Sequence, residues 1–380
     1  MADRIRSGWV GCGVVATRDI LPGLLGPEAK EKLEVVAVCD VVEERARQTA
    51  ERFGVPQAYA DYRDMLAREE LHMVGVLTPI FCHFAIAMAA VKAGKHVYVQ
   101  KTLTNTVDEG TQLIEAAKAR GIKLVASPGQ QIHPNLKQAL AEIKDVMASG
   151  EIGKVCWGRI MAHHRHEVEA ARMGTGLMDV DPTWYYRPGG GPLKDRAVYE
   201  AHTITWLLGP VKRVAAFSGI VDPVRYWKGK HIDVQMDDST MILLDFGDNV
   251  FFTMSSTFVR GTDRAADIEI YGTKGTVLLA SFRPGALKGM YELWLDPEQS
   301  SMLQGTTLAR VGQTADTLNT ISGAHILADI LHLVDCIRKH REPVVTPEHS
   351  RHVIEIFEKA YESARTGQAL DMVTTFTPRG

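Results

Sequence analysis

The first third of the chain alternates short apolar runs with amphipathic stretches. Apolar runs rich in β-branched residues fall at 6–10, 33–39, 73–77, 96–99 and 123–126. Between them, residues 43–53, 81–93 and 107–120 repeat apolar side chains at the spacing of a helix face. Gly54, Gly94 and Gly121 each follow one of these stretches, where a left-handed residue ends a helix without strain. Short strands alternating with helices predict a parallel sheet covered on both faces. The region up to about Pro128 therefore reads as a doubly wound α/β unit.

The pattern then changes. Residues 135–149 predict an amphipathic helix with Leu136, Ala139, Leu140, Ile143, Val146 and Met147 on one face and Gly150 at its end. Strand-like runs follow at 155–164, 211–221, 239–246, 250–258, 267–271, 276–280 and 291–295, with Gly247-Asp248-Asn249 as a tight hairpin turn. These runs predict a second α/β unit built on one large, open-faced, mixed or antiparallel sheet. Residues 348–365 are helical again, stopped by Gly367, and are expected to pack back on the first unit. The expected domains are 1–128 for a nucleotide and 129–380 for substrate and oligomer contacts.

Composition narrows the class. Of 380 residues, 45% are hydrophobic and 23% charged, as in a globular protein with a sizeable core. A net charge of -3 supplies no basic field for nucleic acid. No apolar run is long enough for a bilayer span, and residues 1–6 lead straight into a strand without a secretory signal. Cys12, Cys39, Cys82, Cys156 and Cys336 are scattered and odd in number. They read as reduced thiols of a cytoplasmic protein, with neither a disulfide framework nor zinc spacing.

Candidate chemistry begins at Gly11-Cys12-Gly13-Val14-Val15-Ala16, a G-x-G-x-x-A at the first strand-to-helix junction. The first glycine permits the tight turn, the second lets backbone approach a pyrophosphate, and Ala16 keeps the helix near the sheet. The second strand ends in Asp40, whose carboxylate suits ribose hydroxyls. Val41 and Val42 follow it, so no adjacent arginine awaits a 2′-phosphate, and NAD is expected rather than NADP. The long interval from Gly13 to Asp40 is assigned to an insert at 21–26. Thr78-Pro79, His83 and Gln100 are further cofactor candidates, and Lys101 closes a strand where open α/β sheets bind ligands.

A second constellation lies in Gly189-Gly190-Gly191-Pro192-Leu193-Lys194-Asp195-Arg196-Ala197-Val198-Tyr199-Glu200-Ala201-His202. Asp195, Tyr199 and His202 are spaced four and three, which puts them on one helical face. Oxidation of an alcohol needs a base for the hydroxyl proton, and Tyr199 or His202 can serve. Lys101 can stabilise a developing alkoxide, and Asp195 can orient lysine and substrate. Lys194 and Arg196 flank Asp195 and are weaker candidates. His133, Tyr185, Tyr186 and Arg187 are expected at the substrate, with Trp184 beside them. His163-His164-Arg165-His166-Glu167 lacks a partnering cluster, so no metal is expected; His164 and Arg165 suit sugar hydroxyls or an anionic substituent.

These residues resemble the Gfo/Idh/MocA oxidoreductase family over nearly the whole chain. The resemblance rests on Val10–Gly13, Thr78-Pro79 with His83, Ala93-Gly94-Lys95-His96-Val97 leading to Lys101, and 189–209. It implies a Rossmann domain with NAD, an open-faced sheet that mediates homodimers or homotetramers, and substrate between nicotinamide and sheet. It makes Lys101 the lysine of an E-K-P motif and Asp195 the first aspartate of a D-x-x-x-H-x-x-D helix. The chain departs from that pattern at Gln100-Lys101-Thr102, at Tyr199 in the histidine position and at His202 in the last aspartate position. The implied activity is hydride transfer between NAD and a secondary hydroxyl of a sugar, polyol or glycoside. The alternative is an NAD-dependent glycosidase that oxidises transiently, eliminates and re-reduces, on a sulfonated or carboxylated sugar. A catalytically dead nucleotide sensor is a third reading, which Lys101, Asp195 and Tyr199 together oppose.

Overall fold

The computed structural model describes residues 4–134, 136–163, 181–259, 267–280, 290–296, 307–312 and 324–380. The first unit contains strands β1 (Ile5–Val10), β2 (Leu33–Cys39), β3 (Gln57–Tyr59), β4 (Met73–Val76), β5 (His96–Val99) and β6 (Leu124–Ala126). All pair in parallel in the order β3-β2-β1-β4-β5-β6. Helices α1 (Glu43–Phe53), α2 (Tyr62–Arg68), α3 (Ile80–Lys92) and α4 (Val107–Ala119) connect them. Strand β4 is buried at every position, as a strand covered on both faces must be. Gly75 in β4 lies opposite Trp9, and a Cβ there would sit 2.1 Å from the indole. The short β3 and α2 were not anticipated; β3 has three residues, too few for a periodic signal.

Helix α5 (Lys137–Ser149) opens the second unit. Its sheet holds β7 (Val155–His163), β8 (Arg213–Gly219), β11 (Ser239–Asp245), β12 (Phe251–Thr257), β13 (Ile268–Gly272), β14 (Gly275–Ala280), β15 (Met290–Leu295), β16 (Thr307–Gly312) and β17 (Leu370–Asp371). The order is β16-β15-β14-β13-β7-β12-β11-β8-β17, antiparallel except for the β7–β12 pair. A separate ribbon pairs β9 (Val224–Trp227) with β10 (Lys230–Asp233). Helices α5 and α6 (Val198–Leu208) cover one face of the large sheet with Leu140, Ile143, Val198 and Ile204. Phe217, Met241, Leu243, Phe251 and Trp157 stay exposed. Strand register puts Met241 beside Phe217 and Phe251 beside Trp157.

The C-terminal segment binds the two units. Helix α7 (Ala324–Arg338) adds Ile326, Ile330, Leu333 and Val334 to the core formed by Ile5, Trp9 and Tyr98 of the first unit. Its apolar spacing is legible in the sequence, although no helix was expected there. Helix α8 (Pro347–Thr366) extends over the expected 348–365 and packs both ways. Ile354 joins the core around β4 and α4, while Val353, Ile356 and Phe357 join the core under the large sheet. Glu358 accepts a hydrogen bond from the backbone of Val107 at 3.1 Å.

Three buried histidines close this junction. His349 Nε2 lies 2.7 Å from Thr205 Oγ1, and its ring stacks on Phe376. His352 Nε2 accepts the Val211 N–H at 3.0 Å, so its proton sits on Nδ1, facing Thr374. Burial lowers His202 and His352 to about 4 and His349 well below its ordinary value. A folded-state value below the unfolded one near 6.5 gives stability that is complete above about pH 6.5. That stability is lost as pH falls toward 4. Asp329 and Glu200, both raised to about 7 by burial, act with the opposite sign, so a variant comparison isolates the histidine term. His352→Gln is expected to remove about one proton from the slope of unfolding free energy against pH between 6.5 and 4. Denaturant titrations across that range measure it; an unchanged slope refutes the assignment.

Candidate active site

Strand β1 runs into the glycine turn. Gly11 has φ of +101°, donates to Cys39 O at 2.8 Å, and has no room for a Cβ, which would meet Leu77 O at 2.7 Å. A Cβ on Gly13 would meet nothing within 4 Å. Val14 starts a helical segment continued by Val15–Ile20; Val15 packs toward the first core and Ala16 is buried. Asp40 accepts the Cys12 N–H and the Val42 N–H, each at 2.9 Å. Arg45, in the first turn of α1, pairs with Asp40 at 3.0 Å. Adjacency in sequence therefore missed an arginine that the helix turns onto the ribose-end carboxylate. Burial, then Asp40, pushes the Cys12 thiol up to about 12.

The loop after β5 is pinned from several sides. His83 is fully buried, with Nε2 2.8 Å from Thr78 O and Nδ1 2.7 Å from Thr102 O. It cross-links the loops that follow β4 and β5 and presents no free edge toward a ligand. Gln100 Oε1 accepts the Lys101 N–H at 2.7 Å. Thr102 and Thr104 hydroxyls donate to the carbonyls of Thr104 and Thr106. Thr106 then caps α4 reciprocally with Glu109. Lys101 thus leaves a loop whose backbone is fixed by local hydrogen bonds and by one histidine.

Its partner arrives from the second unit. Residues Leu193–Ala197 form a π-helical turn that runs into α6. Lys101 Nζ donates to Asp195 Oδ1 at 2.5 Å and to Asp195 O at 2.7 Å, with both side chains 16% exposed. Its ammonium stands 5.5 Å from the centre of the Tyr199 ring. Burial disfavours the lysine charge, but Asp195, followed by Tyr199, more than offsets this and raises its pKa. Burial also raises the Tyr199 phenol, against the opposing pull of Lys101. Lys194 donates to Asn105 O and Oδ1 at 2.7 Å, pinning the turn to the Lys101 loop, and Arg196 pairs with the fully buried Glu200.

The structure separates the remaining expectations. His202 does not share the Lys101 side with Asp195 and Tyr199. Its Nδ1 lies 2.7 Å from Val198 O, its Nε2 3.4 Å from Ser350 Oγ, and its ring meets His349. The π-turn interrupts the helical phase between Asp195 and Tyr199 only; Tyr199 and His202 both lie in α6. Tyr185 and Tyr186 pack in a satellite core with Ile232, Val234 and Phe258, and Arg187 is exposed. His164 and Arg165 lie outside the described residues. His133 is buried and stacks on His325 at 5.4 Å, and His325 in turn meets the Tyr199 ring edge-on at 5.8 Å. Sequence reasoning missed His325; the helical repeat of Ile326, Ile330 and Leu333 just after it was the available signal. Among the described residues, no group of three or more His, Cys, Asp or Glu side chains is arranged to hold a metal ion.

Two family patterns match in tandem. The oxidoreductase family with an NAD-binding Rossmann fold matches residues 5–144, and the GFO/IDH/MocA C-terminal domain matches residues 140–278. An uncharacterized oxidoreductase, ORF334, of Rhizobium meliloti is 30% identical over 74% of this chain and 76% of its own length. This chain belongs to the Gfo/Idh/MocA oxidoreductase family. Levoglucosan dehydrogenase of Pseudarthrobacter phenanthrenivorans is 27% identical over 62% of each chain. The solved structure of a levoglucosan dehydrogenase with NADH and levoglucosan superposes with a TM-score of 0.77 at 20% identity. It covers 97% of this chain and 99% of that one, a likeness of fold.

NAD is the cofactor of this Gfo/Idh/MocA protein. The residues fit it. The Gly13 side is open, as backbone approach to a pyrophosphate requires. Thr78 Oγ1 is buried and has no hydrogen-bond partner among the described residues, so it offers a polar group to a ligand. The Asp40 carboxylate stands at the end of β2, where ribose hydroxyls are held in such folds. Lys101 lies beyond this nucleotide region, tied to Asp195. Lys101→Ala and Tyr199→Phe are each expected to lower kcat by about a hundredfold or more. The NAD dissociation constant, read by titration, is expected to stay within about threefold, below 1 kcal/mol. Unchanged turnover in both variants contradicts the site.

Proposed function

We propose that this protein transfers a hydride between NAD and a secondary hydroxyl of a sugar, polyol or glycoside, with Lys101, Asp195 and Tyr199 as the acid–base group. The observation that carries this reading is the lysine ammonium held by Asp195 at 2.5 Å beside the Tyr199 ring. An alkoxide that develops as hydride leaves needs a fixed positive charge near its oxygen, and Lys101 supplies it in a partly dehydrated site. As the phenolate, favoured by the neighbouring Lys101 charge, Tyr199 takes the hydroxyl proton in oxidation, and as the phenol it returns the proton in reduction. The burial of His202 and its contacts with Val198 O and Ser350 Oγ support giving that role to Tyr199. The chemistry that NAD supplies when bound is acceptance of the hydride. Levoglucosan dehydrogenase, matched in both sequence and fold, supports a sugar as the substrate class.

The test is an assay of purified protein with NAD and a panel of free sugars and chromogenic glycosides, following NADH absorbance and aglycone release together. NADH formed in step with sugar consumed is the expected result. Aglycone release that requires NAD but accumulates no NADH overturns this reading in favour of the redox glycosidase.

The exposed face of the large sheet is the self-association surface in this reading. Phe217, Met241, Leu243, Phe251 and Trp157 are exposed apolar side chains on the adjoining strands β8, β11, β12 and β7. The protein is accordingly read as a homodimer or homotetramer. Its five free thiols support a reducing, cytoplasmic setting. Among the described residues, no helix is long and apolar enough to cross a membrane. Replacing Phe217 and Leu243 together by Asp and Glu is expected to yield monomers by light scattering. An unchanged mass places the interface elsewhere.

A further inference from the structure

The backbone of Tyr199 is tied to the first unit by a side chain outside the acid–base group. Gln130 Nε2 donates to Tyr199 O at 3.3 Å and to Thr203 Oγ1 at 3.1 Å. The Thr203 hydroxyl donates to the same Tyr199 carbonyl at 3.0 Å. Gln130 follows β6 of the parallel sheet, whereas Tyr199 and Thr203 lie in α6. The amide therefore fastens the helix that carries the phenol to the sheet that carries Lys101.

Gln130 is held in turn from α7. Asp329 accepts hydrogen bonds from Ser127 Oγ at 2.7 Å and from Gly129 N at 3.0 Å, both in the loop between β6 and Gln130. A Cβ on Gly129 would stand 2.4 Å from Asp329 Oδ1, so this close approach requires glycine. Ile326 and Ile330 anchor α7 in the core of the first unit. Ser127, Gln130, Thr203 and Asp329 are each at most 1% exposed. Water has no access to replace a lost partner there, so each bond constrains its neighbours.

We propose that Asp329 and Gln130 are positioning residues for Tyr199, holding α6 so that the phenol stays beside the Lys101 ammonium. The inference rests on the reading of Tyr199 as the group that takes the hydroxyl proton. Both residues act through backbone and helix position. The attraction between Lys101 and the phenolate weakens with distance, and a displacement of about 1 Å can cost about a hundredfold in rate.

The test is the pH dependence of kcat/KM for oxidation of levoglucosan, D-glucose and the other free sugars of the panel, in wild type, Gln130→Met, Asp329→Ala and the double variant. Lys101, Asp195, Arg196 and Glu200 are the charges around the phenol, and His325 meets its ring; all remain in these variants. Burial raises the phenol and Lys101 opposes that rise. Oxidation uses the phenolate, so activity climbs with pH through its limb. Release of α6 is expected to move that limb up by about one pH unit, a tenfold loss of kcat/KM below it. The NAD dissociation constant is expected to stay within about threefold. The double variant is expected to lose no more than the worse single one, because the two residues act in series. A merely structural role lowers stability and leaves the limb in place.

Burial raises the Asp329 carboxyl itself to about 7. Asp329→Asn can still accept the Gly129 N–H and donate to Ser127 Oγ, and it does not titrate. It is expected to keep the wild-type limb, which assigns that limb to a group other than Asp329. Ser127→Ala, which removes one of the two contacts, replaces Asp329→Ala should that variant not fold. A limb that is lost in Tyr199→Phe but unmoved in Gln130→Met and Asp329→Ala overturns this inference alone. A limb that survives Tyr199→Phe, or no NADH from any sugar with the wild type, overturns the functional reading and this inference with it.

Discussion

The ion pair between Lys101 and Asp195 is the constraint on which the rest of the site depends. The lysine lies just beyond a parallel strand of the first unit, and the aspartate sits in the turn that leads into α6 of the second. They meet at 2.5 Å with little exposure to water. Two charges in such a place hold together only when both are present and well placed, because either one alone would be a poorly solvated charge. The pair therefore joins the two units at the point where substrate chemistry is assigned.

Much of the neighbouring structure serves to keep those two ends in register. His83 ties the loops after β4 and β5 to each other, and Gln100 holds the Lys101 amide. Lys194, beside Asp195 in sequence, reaches back to Asn105 and fastens the second unit to the Lys101 loop. Arg196 turns the other way, onto Glu200. Asp195 faces the lysine, while His202 faces α8.

The chain end supplies a second connection. Helix α7 completes the apolar cover of the first sheet, and α8 is shared between the two cores. Buried neutral histidines and Phe376 seal α8 against α6 and the final segment. Glu355 receives the backbone N–H groups of Val373 and Thr374, which fixes that segment where its own donors would otherwise be buried without partners. The sequence order of the two units is thus a poor guide to which residues share a core.

Local patterns determined the two folds. The alternation of apolar runs and helices up to Pro128, the glycine turn ending β1, Asp40 at the end of β2 and Lys101 beyond β5 all depend on short-range spacing, and all are legible without a structure. So is Gly247-Asp248-Asn249, whose three positive φ values form the turn between β11 and β12. Contacts between distant segments were decided only by the tertiary structure. Arg45 reaches Asp40 because α1 starts where β2 ends, His325 reaches Tyr199 because α7 returns to the first sheet, and His202 is drawn away by α8. A period in the sequence reports which face of an element a residue occupies; it carries no information about which remote element will lie against that face. For this protein, the nucleotide end is written locally, and the substrate end is assembled by chain segments that meet only on folding.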